Sequence, residues 1–480
     1  MRARWTLVLS ASVALWPLAS AAQVAPLRND PLAARPSVPS DIRPVTNPAT
    51  APANTPAIKA MTEPTAKAPL ANPDGTAPTA VPPATPVFVL PPPPPPMWLA
   101  SDAQALLGAV QAVGGDGLDS GDYDPAKLDA AIRGGDPAVL AQVATDTFNR
   151  LSWDLAMGHV ARSARQQWFV VDKDLNAESQ RALLVSALAR HDVPGALASL
   201  LPTHPQYGSL KSALAVTAST DIATVNRIRL NMERWRWLPR DLGQKYIIVN
   251  VPSQFATLVE NSQTRWKHRA IAGAIKTQTP QLSVLATGVI LNPWWEVPAS
   301  LTKDVAGKAA YVPVKGPDGK IQRWRQPPGP GNALGKIKFV MQNPHAIYLH
   351  DTNNRGLFDS HARFLSHGCI RTEKVLDLAA ELLGDDNGEW TQDKIDAALA
   401  SGKSVQANFV KPVPVYIVYF SAAALVSGKI LPYDDLYQRD APMLAALDAR
   451  DGKGPFVAKP KVQDAANTPV KKPVAKKKAA

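Results

Sequence analysis

The sequence predicts a chain of several parts, in which an α-helical domain precedes a mostly-β domain carrying one or two helices. Hydrophobic residues recur at helical spacing between about residues 98 and 220. After Pro239, short runs of β-branched and aromatic residues alternate with turn residues. The chain also has 46 prolines in 480 residues, about twice average usage. Part of it therefore lies outside packed secondary structure.

The first 22 residues have the order of a secretory signal peptide. Arg2 and Arg4 precede an apolar run from Trp5 to Leu18, and small residues follow at positions 19–22. The run is shorter than the roughly 20 residues of a membrane span, although an uncleaved anchor is the alternative. We therefore expect an exported protein that has no stable membrane span once residues 1–22 are removed.

Residues 23–97 form a Pro/Ala-rich segment that we expect to be a disordered linker. Between Gln23 and Pro96, 21 of 74 residues are proline, ending in a run at 91–96. Such a composition lacks the apolar surface that would offset its ordering entropy and favours extended polyproline II. A ligand for a proline-recognising module is the alternative interpretation.

Residues 459–480 form a lysine-rich tail that we also expect to be disordered. Seven lysines less one aspartate give +6, half of the net charge of +12 of the whole chain. Because this tail carries so much of the charge, the basic balance does not indicate a nucleic-acid partner. The tail is either simply solvated or attracted to an anionic envelope polymer or membrane surface.

The helical part is expected over residues 98–220, followed by a linker helix over 221–238. The linker helix is predicted by one apolar stripe, which we expect to pack in a core. Its members are Ile222, Val225, Ile228, Met232 and Trp235.

The mostly-β domain is expected over residues 239–430, with an extension over 431–458. Its predicted strands are 246–251, 255–259, 269–274, 283–291, 338–341, 347–350 and 415–420. A helix with Val375, Leu378 and Leu382 on one face interrupts them, and Thr372 is its expected N-cap.

Cys369 is the only cysteine, which excludes an intrachain disulfide and a Cys-rich metal site. Its neighbourhood has the residue types of cysteine nucleophilic catalysis. A thiol needs a base such as His350 to take its proton, and Gly368 lets backbone amides approach a developing oxyanion. Cys369 also precedes the predicted helix, whose N-terminus would favour the thiolate.

Two other roles for this cysteine are open on residue types alone. A single cysteine is most often a small buried hydrophobic residue. A zinc site formed by His361, His367 and Cys369 is a further possibility, but two ligands only two residues apart are awkwardly spaced for chelation.

The stretch from His350 to Ser366-His-Gly-Cys-Ile-Arg371 resembles the signature of the L,D-transpeptidases, the YkuD-type catalytic domain. The segments 292–298, 327–335, 347–352 and 415–419 are similar to those of the large Gram-negative class, in which a helical scaffold domain comes first. The resemblance covers roughly residues 98–450. It implies a scaffold domain at 98–220 and an L,D-transpeptidase domain at 239–430.

The resemblance implies that Cys369 attacks a tetrapeptide stem after its L-centre and releases D-alanine. A side-chain amine of a second stem then takes the acyl group, giving a 3–3 cross-link between meso-diaminopimelate residues. His350 would transfer protons, and amides around His367 and Gly368 would form the oxyanion hole. Substrate contacts would come from Ser366, Tyr348, Asn332, Trp294 and Arg371. For Arg371, orienting the loop, binding a substrate carboxylate and forming a structural salt bridge are all open.

The same resemblance implies no metal and no organic cofactor, inhibition by carbapenems, a role in cell shape, and a periplasmic, wall-associated location. The implied partners are peptidoglycan stem peptides and possible penicillin-binding or other wall-synthesis proteins. Hydrolysis of the same acyl-enzyme and protein-to-wall attachment are alternative activities. A non-catalytic wall-binding protein is the alternative of another class.

Two features depart from the large class. The segment between Leu214 and Thr220 leaves no room for the usual peptidoglycan-binding module. Residues 301–326, where the class carries a substrate-capping insertion, also look short.

Overall fold

A computed structural model describes residues 96–425 and 427–452, apart from the side chain of Asp386. The expected signal peptide, the basic tail and the linker up to residue 95 lie outside the described residues. Within the described part, no helix is both long and apolar enough to cross a bilayer.

The N-terminal region is helical, as the apolar spacing predicts. Its helices are α1 (Ala100–Ala112), α2 (Pro125–Gly134), α3 (Pro137–Met157), α4 (Ala177–Ala189), α5 (Val193–Ala198), α6 (Pro205–Val216) and α7 (Ile222–Arg236). The side chain of Asp136 caps α3 by accepting from the amides of Ala138 and Val139, and Pro137 occupies its first position. Phe148, Leu106 and Trp98 pack inside this region.

Helix α7 is the predicted linker helix, and it packs against both parts of the chain. Ile228 and Met232 are buried, whereas Ile222 at its first turn is exposed. The ring of Trp235 stacks between His204 and Phe420, with centroid distances of 4.1 and 4.5 Å. One residue of the apolar stripe thus connects the helical domain to the β domain.

The β domain is built around a ring of strands. Its members are β2 (Lys245–Asn250), β3 (Phe255–Glu260), β4 (Gln263–Gly273), β5 (Gln281–Leu291), β9 (Ile337–Met341), β10 (Leu349–His350), β12 (Ile370–Thr372) and β13 (Val405–Val418). The order is β5-β13-β2-β3-β4-β12-β10-β9, and β9 also pairs with β5, so the path closes. Strand β1 (Trp168–Phe169), from the helical region, pairs with β5, and β11 (Phe364–Ser366) pairs with β4. The ring encloses the core of the domain.

Strand β13 is longer than predicted and contains an irregularity. Its pairing with β5 shifts register between Asn408 and Val413. Pro412 and Pro414 lie at this point and have no amide to donate, which is why a regular ladder cannot continue through it.

Two helices of the β domain are α9 (Val375–Gly384) and α10 (Gln392–Ala400), which agrees with the expected number. The predicted cap of α9 was wrong, because Lys374 occupies the N-cap position in a left-handed conformation, with φ of 50°. Thr372 instead ends β12. A strand therefore separates Cys369 from the helix, and the expected helix-dipole effect on its thiol is not supported.

Residues 295–326 form a small unit with its own core. It contains the sheet β6 (Trp295–Glu296), β7 (Val312–Lys315) and β8 (Ile321–Gln326), in the order β6-β8-β7, and the single-turn α8 (Thr302–Val305). Val297, Val305 and Trp324 pack together. The segment expected to be short is thus a separate three-stranded unit.

The C-terminal part packs against the helical region. The hairpin of β14 (Ala422–Ala424) and β15 (Ile430–Pro432) spans the expected boundary at residue 430. Helix α11 (Asp440–Leu447) contacts α7, where Arg234 pairs with Asp440 at 2.7 Å. The amide of Ala161 donates to the carbonyl of Gly452 at 2.8 Å.

Candidate active site

Strand register brings the predicted site residues onto one face. In the parallel pair β10–β12, Leu349 lies opposite Ile370 and His350 opposite Arg371. Leu349 and Ile370 point into the core and are fully buried. Side chains alternate between the two faces of a strand, so His350 and Arg371 lie on the opposite face. Tyr348 and Cys369, each two positions earlier in the chain, lie on that same face.

The thiol of Cys369 lies in a polar, half-buried environment. The thiol donates to the carbonyl oxygen of Ala346 at 3.5 Å. Burial raises the pKa of the Cys369 thiol, while the neighbouring amide and hydroxyl of Tyr348, together with Lys338 and Arg371, act in the opposite direction. Cys369 packs against the core but stays partly exposed, with polar groups beside its sulfur.

His350 is a buried, neutral imidazole. Burial lowers its pKa to about 3, and the nearby positive charge of Arg371 adds to this effect. Its Nδ1 has no hydrogen-bond partner among the described residues, and its ring meets that of Tyr348 edge-on at 5.6 Å. No hydrogen bond joins His350 to the thiol in the described part of the chain, and Tyr348 lies beside both groups.

The turn before Cys369 is held by Ser366. Its hydroxyl donates to the carbonyl of Cys369 at 2.5 Å and accepts from the amide of Gly368 at 3.1 Å. Gly368 has φ of +110°, a conformation that requires glycine. The Gly368 amide, expected to contribute to the oxyanion hole, donates to Ser366 in this structure. The amides of His367 and Cys369 donate to no acceptor within the described part of the chain and are the better candidates.

A second layer of residues supports this turn from outside the signature. Thr279, fully buried, donates to the carbonyl of Gly368 at 2.8 Å and accepts from the amide of Gly273 at 2.9 Å. The hydroxyl of Tyr437 donates to the carbonyl of Gly273 at 2.5 Å. Arg439 donates to the carbonyl of Thr279 at 3.2 Å. The C-terminal extension thus braces the site.

Two expected substrate contacts have other positions. Asn332, expected to contact substrate, is buried and donates to the carbonyls of Pro293 and Pro327 at 3.0 and 2.9 Å, so it joins two loops. The ring of Trp294 packs under Arg325, whose guanidinium carbon lies 4.2 Å from its centroid. The neighbouring Trp295 instead lies beside the Tyr348 hydroxyl and brings the 295–326 unit to the site.

The other residues predicted for the site are His367, Arg371 and the possible metal ligand His361. The side chain of His367 is exposed. Arg371 is half-buried and forms no salt bridge with any described residue, which argues against a purely structural ion pair. His361, His367 and Cys369 do not form a group able to hold a metal, and neither does any other set of described side chains.

Sequence reasoning missed Lys338 and Thr279. The pairing of Lys338 with His350 places the lysine in the same row as the catalytic candidates. The apolar alternation of β9 is the signal that could have placed Lys338 on its outward face. Nothing in the sequence indicates the contact of Thr279 with Gly368, because the two residues meet only through folding.

Family comparisons agree with this geometry. Residues 244–415 match the family model YkuD, described as the L,D-transpeptidase catalytic domain, and residues 94–214 match the model of the Scaffold domain. The chain carries an L,D-transpeptidase catalytic domain preceded by a scaffold domain. This confirms the family resemblance and the expected order of a helical and a mostly-β part.

A Haemophilus influenzae protein named "Putative L,D-transpeptidase" is 31% identical over 251 residues. The alignment covers 47% of this chain, which spans half the length of that curated relative. Among solved structures, a cysteine-to-serine mutant of the Enterococcus faecium L,D-transpeptidase has a TM-score of 0.22 at 13% identity, covering 38% of this chain and 52% of that one. Mycobacterium tuberculosis L,D-transpeptidase 3 with a faropenem-derived adduct has a TM-score of 0.20 at 11% identity. The match covers 36% of this chain and 60% of that one.

Proposed function

We propose that this protein is a peptidoglycan L,D-transpeptidase in which Cys369 is the nucleophile. The observation that supports this best is the position of the only thiol: on one face with His350, with the amide and hydroxyl of Tyr348 beside its sulfur. The L,D-transpeptidase catalytic domain supports the same reaction class.

In the acylation step, the Cys369 thiolate attacks the carbonyl carbon that follows the L-centre of a tetrapeptide stem. The amides of His367 and Cys369 would stabilise the oxyanion. The carbon–nitrogen bond breaks, D-alanine leaves with a proton, and a thioester remains. Neutral His350 can accept the thiol proton only as a weak base, because burial lowers its pKa to about 3; the imidazolium formed is a strong acid and gives that proton readily to the leaving amine.

In the transfer step, a side-chain amine of a second stem attacks the thioester. The carbon–sulfur bond breaks, the amine loses a proton, and the thiolate is regenerated. Between meso-diaminopimelate residues the product is a 3–3 cross-link.

Intact-mass analysis tests the reaction class. The similar solved structures include one L,D-transpeptidase in complex with imipenem and one acylated by ertapenem. We expect imipenem to add covalently to the wild-type chain and not to Cys369→Ala, with circular dichroism showing that both are folded. An adduct on the Cys369→Ala variant, or none on the wild type, would contradict the proposal.

The acceptor is tested separately with disaccharide-tetrapeptide. A dimer lacking one D-alanine indicates transfer, whereas a tripeptide monomer alone indicates hydrolysis. Unchanged substrate together with wall binding would favour a non-catalytic wall-binding protein.

We also propose that the protein acts in the periplasm on stem peptides, alongside other wall-synthesis proteins. The basic and apolar order of residues 1–22 supports export. Detection of the mature protein in a periplasmic extract, with its N-terminus near residue 23, would test this location.

A further inference from the structure

Two cations face the thiol from neighbouring strands. Lys338 on β9 pairs with His350, which pairs with Arg371 on β12, so the three form one row across the sheet. Both cations are near enough to the Cys369 thiolate to interact with it electrostatically. The Lys338 ammonium also lies 4.1 Å above the ring of Tyr348.

Neither cation has a carboxylate partner among the described residues. Other partly buried basic groups of the domain do: Lys245 pairs with both Glu260 and Asp385, and Arg269 pairs with Glu373. The carboxylate of Glu296 acts on Lys338 electrostatically, but its ion-pair partner is Arg323, at 2.9 Å.

A partly buried cation without a carboxylate partner costs folding free energy. Its presence in the cleft therefore indicates a negatively charged ligand. One thiolate can balance only one of the two charges. Burial also lowers the pKa of Lys338, which shows that its ammonium is short of stabilising partners. With the thiolate present, one of the two positive charges is still not balanced, so the site favours one further negative charge.

We propose that Lys338, together with Arg371, binds a carboxylate of the peptide that reacts with Cys369. The assignment of that carboxylate to a stem peptide rests on the proposed function. Two carboxylates of the donor have suitable chemistry: the terminus of the leaving residue and the side-chain carboxylate of the diamino acid. In either case the ligand class is an anionic peptide, and a peptide with a neutral group at that position is disfavoured.

Alkylation of Cys369 tests the charge without any peptide. Iodoacetate is anionic and iodoacetamide is neutral, while both alkylate the same thiol, which is the only one in the chain. The ratio of their rates cancels changes in thiol reactivity and reports local potential. We expect the ratio of iodoacetate to iodoacetamide rates to fall about tenfold in Lys338→Met and in Arg371→Met.

The matched control is Lys429→Met, which removes an exposed lysine from the β14–β15 hairpin and should leave the ratio unchanged. Lys338→Arg keeps the charge and should keep the ratio. It also guards against a folding defect in the methionine variant. An unchanged ratio in Lys338→Met would overturn the proposal, whatever the peptide chemistry proves to be.

Peptide donors then distinguish the two carboxylates. Acylation is compared for a free tetrapeptide, its C-terminal amide and a tetrapeptide amidated on the diamino acid. Loss of rate with the first amide assigns the terminal carboxylate, and loss with the second assigns the side chain. Equal rates for all three, with the alkylation ratio still dependent on Lys338, would overturn peptide recognition and leave the proposed transfer reaction standing.

Discussion

At the scale of single residues, Tyr348 has the most direct effect on the thiol. Its amide and hydroxyl lie beside the sulfur of Cys369 and favour the thiolate, and Trp295 lies beside the same hydroxyl. His350 lies on the same face. In the proposed reaction, Tyr348 would therefore stabilise the thiolate and the imidazole would carry the proton.

The first residue-scale prediction concerns Tyr348→Phe. The ring under Lys338 is kept, but one hydrogen bond to the thiolate is lost. Because a hydrogen bond to a charged group contributes about 1.5–3 kcal/mol, the thiol pKa should rise by about 1–2 units. The rate of iodoacetamide alkylation, measured against pH, should shift upward accordingly. Tyr433→Phe is the control, and equal profiles for wild type and Tyr348→Phe would disprove the role.

Residue type and spacing could be read from the sequence, but neighbours that meet only through folding could not. His350 and Cys369 stand out because of their types and spacing. The loop-joining position of Asn332 was not foreseen, because a loop asparagine that binds a ligand and one that joins two loops look alike in sequence. Lys338 was missed because the strand pairing that places it beside His350 is not written in local sequence.

At the scale of elements, the turn of residues 366–369 depends on a loop that lies almost ninety positions earlier in the chain. Thr279 connects the carbonyl of Gly368 to the amide of Gly273, and Thr277 donates to the carbonyl of Ser366 at 2.9 Å. The orientation of the turn is therefore set by the connection between β4 and β5.

The element-scale prediction is that Thr279→Val destabilises the fold and slows acylation. Valine fills the same space but leaves the Gly273 amide and the Gly368 carbonyl unpaired in a fully buried place. The expected loss is about 2–4 kcal/mol of unfolding free energy. Urea unfolding and imipenem acylation measure the two effects. Thr287→Val, at an exposed position on β5, should change neither; a matching loss there would show that the effect is not specific to the turn.

The sequence predicted which helices and strands exist better than where each of them begins and ends. The first half of β4, from Gln263 to His268, has Trp266 as its single buried apolar residue, so no apolar alternation marks it. The first half of β13 lies before Pro412, which in sequence reads as a break rather than an irregular continuation. The N-terminus of α9 was misplaced because Lys374 begins it through backbone conformation and not through a side-chain cap.

At the scale of the whole molecule, a buried charged cluster connects the scaffold domain, α7 and the C-terminal residues. His159 bonds Asp154 at 2.7 Å and the carbonyl of Ala449 at 2.8 Å. Glu233, fully buried, accepts from the amide of Val160 and pairs with Arg236 at 3.0 Å. Contacts of this kind indicate that the described parts unfold together.

The molecule-scale prediction follows from the charge of His159. Burial alone would lower its pKa, but the bonds to Asp154 and Ala449 raise it to about 9, against 6.5 for an ordinary histidine. The protonated form therefore stabilises the fold. This contribution is complete below about pH 6.5 and is lost as pH rises through 9, by an amount of order 1–3 kcal/mol.

Urea unfolding at pH 6 to 10 measures this dependence. His159→Gln should be less stable at pH 6 and should flatten the profile between pH 6.5 and 9. His191→Gln, an exposed histidine beside Asp102, is the control and should keep the wild-type slope. A wild-type slope in His159→Gln would assign the dependence to another group.

The overall order of domains could be predicted from the sequence because helical and strand periodicities differ. Closure of the ring could not, since it depends on β5 pairing with both β13 and β9 over long chain separations.

That closure bears on how copies of the protein can meet. A ring of paired strands leaves little backbone free to recruit a strand from a second molecule, which is the common start of domain swapping and of fibril growth. Self-association through the ring itself would then have to use side-chain surfaces, and it would be readily tuned by surface mutation.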